Sequence, residues 1–206
     1  MNIINLSKFP KTENSIGLLA FNHYKEFPKI HKYKDVAERI YGCYKLQHYQ
    51  HNGETELLLL NRCVHFRAAL NEFVSISEML KICGNSNLEK ISIDKLDIPL
   101  LHFFKLLREV NFHLTSLAQH SVENEVTTFD TRTGEISDNK FKLQHPVISN
   151  CDSSMFKNSK NIKYYDSRKI ADVVEWVKEN QNTWGIFHLL DLALRQYCIE
   201  IEKYCS

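Results

Sequence analysis

The segment from about Thr55 to Cys83 sets Leu59, Cys63, Phe66, Leu70 and Phe73 three or four positions apart. That spacing puts all five on one face of an α-helix, and a long helix with one apolar stripe needs partners to cover it. No glycine or proline interrupts the run, and Gly84-Asn85 closes it. A second stretch, LLHFFKLLREVNFHLTSLAQH, predicts a helix from about Asp97 to His120. Asp97 suits its N-cap, and Pro99 falls in the first turn, where a missing N–H has no intrahelical role. The two helices are expected to share one core through Leu59, Phe66, Leu70, Phe104, Leu107 and Leu114.

Shorter helices are expected at 15–26, ended by Pro28, and at 33–50, stopped by Asn52-Gly53. Two more are expected at 167–180 and 183–204, the latter capped by Thr183. Only six glycines and four prolines occur, which disfavours an all-β fold with many tight turns. Residues 122–162 are rich in Asn, Ser, Asp, Thr and Lys, and VTTFDTRTGEIS reads as a small hairpin turning at Thr133-Gly134. The expected fold is mostly α: a bundle of four to five helices forming one domain over 1–206. Residues 122–162 would be a flap-like β-hairpin or irregular insertion within it.

Lys and Arg total 26 against 25 Asp and Glu, a formal charge of +1. A strongly basic coat for nucleic acid is excluded, whereas a local basic patch is not. Cys43, Cys63, Cys83, Cys151, Cys198 and Cys205 form no CxxC pair or zinc-ribbon spacing and read as reduced thiols. MNIINLSKFPKTEN lacks the build of a signal peptide, and the longest unbroken apolar run, Leu57 to Leu60, is too short to span a bilayer. A cytoplasmic protein without a membrane segment is expected.

The candidate site is Arg108-Glu109-Val110-Asn111-Phe112-His113. On a helix advancing about 100° per residue, His102, Lys105, Glu109, His113, Ser116 and His120 share a polar arc, with Arg108 at its edge. Arg108 and His113 would lie about 140° apart, close enough for a long arginine to converge with the histidine on one group. RNA carries its own nucleophile, the 2′-hydroxyl. A histidine titrating near neutral pH can move its proton, and a guanidinium can hold the phosphate and the added charge of the transition state. No metal or cofactor is required.

Asn111 falls in the apolar arc and needs an internal hydrogen-bond partner. Glu109 would repel phosphate unless it pairs with Lys105, four residues earlier, or orients a histidine. Glu109 and His113 also have the spacing of helical metal ligands, but His102 and His120 are too far along the stripe to complete a site. The lysines and tyrosines between Tyr24 and Tyr49 read as a solvated face at the core edge, interrupted by Asp35 and Glu38. Arg62, His65 and Arg67 form an exposed stripe that would meet Arg108 only if the two long helices pack side by side. Trp176 and Trp184 read as anchors of the last two helices. No P-loop, dinucleotide fingerprint, nucleophile elbow or catalytic Cys/His signature occurs.

Through Arg108 and His113 the chain resembles the HEPN superfamily of all-α proteins, whose members carry Arg, four to six residues, then His. Glu109 stands where that pattern more often has Asn, Asp or His. The resemblance covers about residues 33–121 and 166–205. It implies a metal-independent endoribonuclease of the toxin or phage-defence kind, with Arg108 and His113 catalytic and Asn111, Glu109 and Lys105 supporting. It also implies RNA as substrate, a homodimer with two motifs facing one cleft, and an antitoxin partner. Many relatives are instead inactive helical partners or RNA-binding scaffolds, which is the alternative.

Overall fold

The computed structural model describes residues 3–11, 26–47, 55–83, 86–110, 112, 114–116 and 146–205, with the backbone alone at 55–59, 86 and 114–116. The protein is mostly helical. Helix α1 spans Lys34–Gln47, α2 Thr55–Ile82, the single turn α3 Ser86–Glu89, α4 Pro99–Glu109, α5 Ser167–Trp184 and α6 Ile186–Tyr204. Strands β1 (Leu114–Ser116) and β2 (Pro146–Ile148) form a short antiparallel ribbon, with Leu114 opposite Ile148 and Ser116 opposite Pro146.

Helix α4 is the hub. Leu100, Leu101, Phe103, Phe104, Leu106 and Leu107 are all fully buried, and the helix packs against α2, α5 and α6. Phe66, Leu70, Phe104 and Leu107 share the core as their spacing predicts. The side chains of Leu59 and Leu114 lie outside the described residues. Helix α1 lies along α2, where Arg39 pairs with Glu72 at 3.1 Å. An N-terminal strap, residues 3–11, is pinned across the bundle. Lys169 Nζ donates to the Ile4 carbonyl at 2.8 Å, Lys8 pairs with Asp97, and Phe9 stacks on Trp176 with ring centroids 4.4 Å apart.

The expected ends of the helices are corrected. Helix α4 ends at Glu109 rather than near His120: Val110 is extended at φ −107°, ψ 151°, and residues 114–116 are strand. Phe112, just beyond the helix, is buried edge-on against Phe66 at 5.5 Å. Its carbonyl accepts from Arg67 at 3.0 Å, so tertiary contacts hold the chain out of the helical path. At the other end the N-cap is Ile98 without a side-chain bond, because Asp97 is turned to Lys8.

The break expected at 181–182 is absent, and Thr183 lies inside α5 rather than capping the last helix. α5 continues to Trp184, and Gly185, at φ 78°, makes the turn into α6. Gln181 explains the continuation. It is buried, accepts from Ile148 N–H at 2.9 Å and donates to Ile148 C=O at 3.3 Å, standing in for a third strand beside β2.

Of the insertion expected at 122–162, residues 122–145 lie outside the described residues. From Pro146 onward the chain belongs to the core, with Ile148, Cys151 and Phe156 buried and 3-10 turns at Ser153–Phe156 and Ile162–Tyr164. The hairpin expected around Thr133-Gly134 lies outside the described residues, as does most of the helix expected at 15–26. Among the described residues, no helix is long and apolar enough to cross a membrane.

Candidate functional site

Arg108 occupies the last turn of α4, where a cation complements the negative end of the helix dipole. Its Nε donates to Asn71 Oδ1 at 3.2 Å, and an η nitrogen stands 3.6 Å from Glu78 Oε1, so both partners come from α2. The Arg108 side chain keeps 37% of its surface open, and Glu78 keeps 52%. An ion pair this exposed contributes about 0–1 kcal/mol and leaves the guanidinium free to exchange partners.

Glu109 does not pair with Lys105. Its carboxylate accepts from the Ser159 hydroxyl at 2.5 Å, from the Asn161 backbone N–H at 3.4 Å and from the Asn161 side-chain amide. Lys105 instead pairs with Asp94 in the 3-10 turn Ile93–Lys95. Burial opposes ionisation of Asp94, but the hydrogen bond and charge of Lys105 outweigh it and hold the carboxyl below its ordinary value. Of the two roles offered for Glu109, the pairing with Lys105 is not formed; two separate tethers stand in its place, one to each neighbouring loop.

Asn111 and His113 lie outside the described residues. Their neighbours are fixed: Phe112 is buried under the Arg67 guanidinium, which sits 5.5 Å from its ring centroid, and residues 114–116 are paired with β2. The helical face that would have carried Arg108 and His113 together stops at Glu109. His102, assigned by its spacing to the polar arc, is fully buried. One ring nitrogen lies 3.0 Å from the Tyr165 hydroxyl and the other 2.7 Å from the Leu96 carbonyl. The Leu96 side requires an N–H donor, so the neutral ring accepts from Tyr165. Burial drives its pKa below the ordinary histidine value.

Arg67, which its sequence context left on an exposed stripe, holds the chain one residue before His113. Helices α2 and α4 do lie side by side. The loop that Glu109 grips was not singled out by its sequence. Residues 153–165 contain Lys157, Lys160 and Lys163 without one Asp or Glu, a signal that the overall polar composition of 122–162 obscures.

All six thiols are free. Burial raises Cys43 and Cys198 well above the ordinary thiol range and Cys151 to about 12, which makes these three poor nucleophiles. Among the described residues no three His, Cys, Asp or Glu side chains converge as metal ligands. Compared with known proteins, the chain matches no family model, no curated protein and no solved structure.

Proposed function

We propose that the chain is an RNA-directed, HEPN-like helical protein whose Arg108 and His113 form a metal-independent ribonuclease pair at the end of α4. The observation that carries this reading is the engagement of Glu109. Ser159 and Asn161 hold the Glu109 carboxylate against the neighbouring loop, so it does not pair with Arg108, and Arg108 stays partly open. In this reading the guanidinium binds the scissile phosphate, and the histidine takes the 2′-hydroxyl proton as that oxygen attacks phosphorus. The bond from phosphorus to the 5′-oxygen breaks, that oxygen takes a proton from water, and the product keeps a 2′,3′-cyclic phosphate. A second copy of the chain would supply the facing half of the cleft.

Incubation of purified protein with structured and unstructured RNA tests the reading. His113→Ala should lower cleavage by about a hundredfold or more. Arg108→Lys should also impair it, since a point charge does not reproduce a planar bidentate donor. EDTA should have no effect, and light scattering at micromolar concentration should report a dimer. Cleavage that survives both substitutions would remove Arg108 and His113 from the reaction.

A second reading, a non-catalytic helical interaction protein, draws on a different observation. Leu60 and Val64, one turn apart on α2, are 65% and 63% exposed. Intact RNA after incubation with a well-folded protein would favour it.

A further inference from the structure

Residues 153–165 form a built surface rather than a loose connection. Phe156, Ser159 and Tyr165 are buried anchors. Between them the backbone closes on itself: Ser159 N–H donates to Phe156 C=O at 2.8 Å, Tyr164 to Asn161 at 3.0 Å and Tyr165 to Ile162 at 3.0 Å. From this frame Lys157, Lys160 and Lys163 project into solvent. Among the described residues none of the three has a carboxylate within ion-pairing distance. The nearby acids are turned to other donors. Asp152 accepts from Ser154 N–H at 2.8 Å, Asp166 caps α5 through Arg168 N–H at 2.8 Å, and Glu109 is held by Ser159 and Asn161. Tyr164 is 50% exposed, with Lys163 Nζ 5.0 Å from its ring centroid.

We infer that this lysine-bearing surface holds a single RNA strand, with Lys157, Lys160 and Lys163 on its phosphates and Tyr164 stacked on a base. The inference rests on the RNA-directed reading and extends it from the reacting groups to how the substrate is held. Cations interleaved with an exposed aromatic ring are what a single strand engages. A strand is favoured over an acidic peptide because Tyr164 offers a flat face beside the charges. The frame of buried anchors means that little order has to be gained on binding. Glu109 tethers the surface to the last turn of α4, the turn that also carries Arg108. The chain's net charge of only +1 makes such binding local, because no general basic coat would replace it.

The test uses fluorescence anisotropy of a labelled, unstructured oligouridine with the full-length His113→Ala protein, which keeps the RNA intact. The same protein carrying Lys157→Gln, Lys160→Gln and Lys163→Gln should bind about tenfold more weakly or worse. Its dependence of log K on log salt should be shallower by about two, as expected for three lost phosphate contacts on a single strand. Tyr164→Ala should weaken binding by about fivefold or more. Circular dichroism melting verifies that the variants are folded. An unchanged affinity and salt slope overturns the inference, as does a parent protein that binds no RNA. A triple variant that loses only polyglutamate or anionic vesicles overturns it too. Cleavage is scored separately on the chain with His113 intact. Lysine-dependent binding without cleavage keeps this surface and removes the catalytic pair, whereas cleavage by a triple variant that binds RNA normally does the reverse.

Discussion

His102 and Glu109 stand on α4 where helical spacing puts a polar face, yet the fold ties both into tertiary hydrogen bonds, His102 buried and Glu109 at the surface. The sequence gives no sign of this, because a histidine on a polar arc looks the same whether water or Tyr165 meets it. For His102 the consequence is a pH dependence. The folded protein keeps the ring neutral, while the unfolded chain protonates it near the ordinary value of about 6.5. Its contribution to stability is therefore fully present above about pH 6.5 and is lost as pH falls from there toward the depressed folded value. The melting temperature should fall between about pH 7 and 5. His102→Gln should melt lower at pH 8 but with a flatter profile across that window. Parallel curves for the two proteins would show that His102 does not carry the effect. The Asp94–Lys105 pair acts in a separate window: its stabilisation is present above about pH 4 and is lost in stronger acid. Glu109→Ala should cost about 1–2 kcal/mol in urea denaturation, since it removes a charged acceptor from Ser159 and Asn161.

Element existence was legible where one period dominated. The stripe on α2 predicts its span almost to the residue: Thr55 to Cys83 is expected, and Thr55–Ile82 is helical. Element ends were less legible. Val110, Phe112 and Leu114 fit a strand at period two, while Val110, Leu114 and Leu117 fit a helix at three to four. The choice between the templates falls to Phe66 and Arg67, which are distant in sequence. The junction of α5 and α6 misleads in the opposite sense. Asn180-Gln181-Asn182 looks like a break, but Gln181 faces inward to complete the β ribbon. Gln181→Leu fills the same space and leaves the Ile148 N–H and C=O buried without partners. It should cost about 2–4 kcal/mol. Hydrogen exchange should quicken at the Ile148 amide, and a variant as stable as the parent would mean that water replaces the side chain there.

The molecule as a whole is organised around aromatic contacts that no local pattern specifies. Phe66 on α2 meets Phe104 on α4 at 6.5 Å, Phe112 beyond α4 at 5.5 Å and Phe187 on α6 at 4.9 Å. One side chain thus joins three helices to the segment leading into His113. Truncation to alanine should cost about 3–5 kcal/mol, because the ring is fully buried and its neighbours come from rigid helices that cannot close the cavity. Phe112→Ala should cost less, since Arg67 covers only one side of that ring. The two losses should not add. Once Phe66 is gone, Phe112 has already lost its edge-to-face partner, so the double variant should be more stable than the sum of the singles predicts by about 0.5–1.5 kcal/mol. The cycle also bears on function. If the backbone before His113 is held by this contact, Phe66→Leu, a milder change, should reduce RNA cleavage while leaving binding through Lys157, Lys160 and Lys163 unchanged. Equal loss of binding and cleavage would mean that the core acts on the whole fold, and an additive cycle would mean that Phe66 and Phe112 stabilise the protein independently.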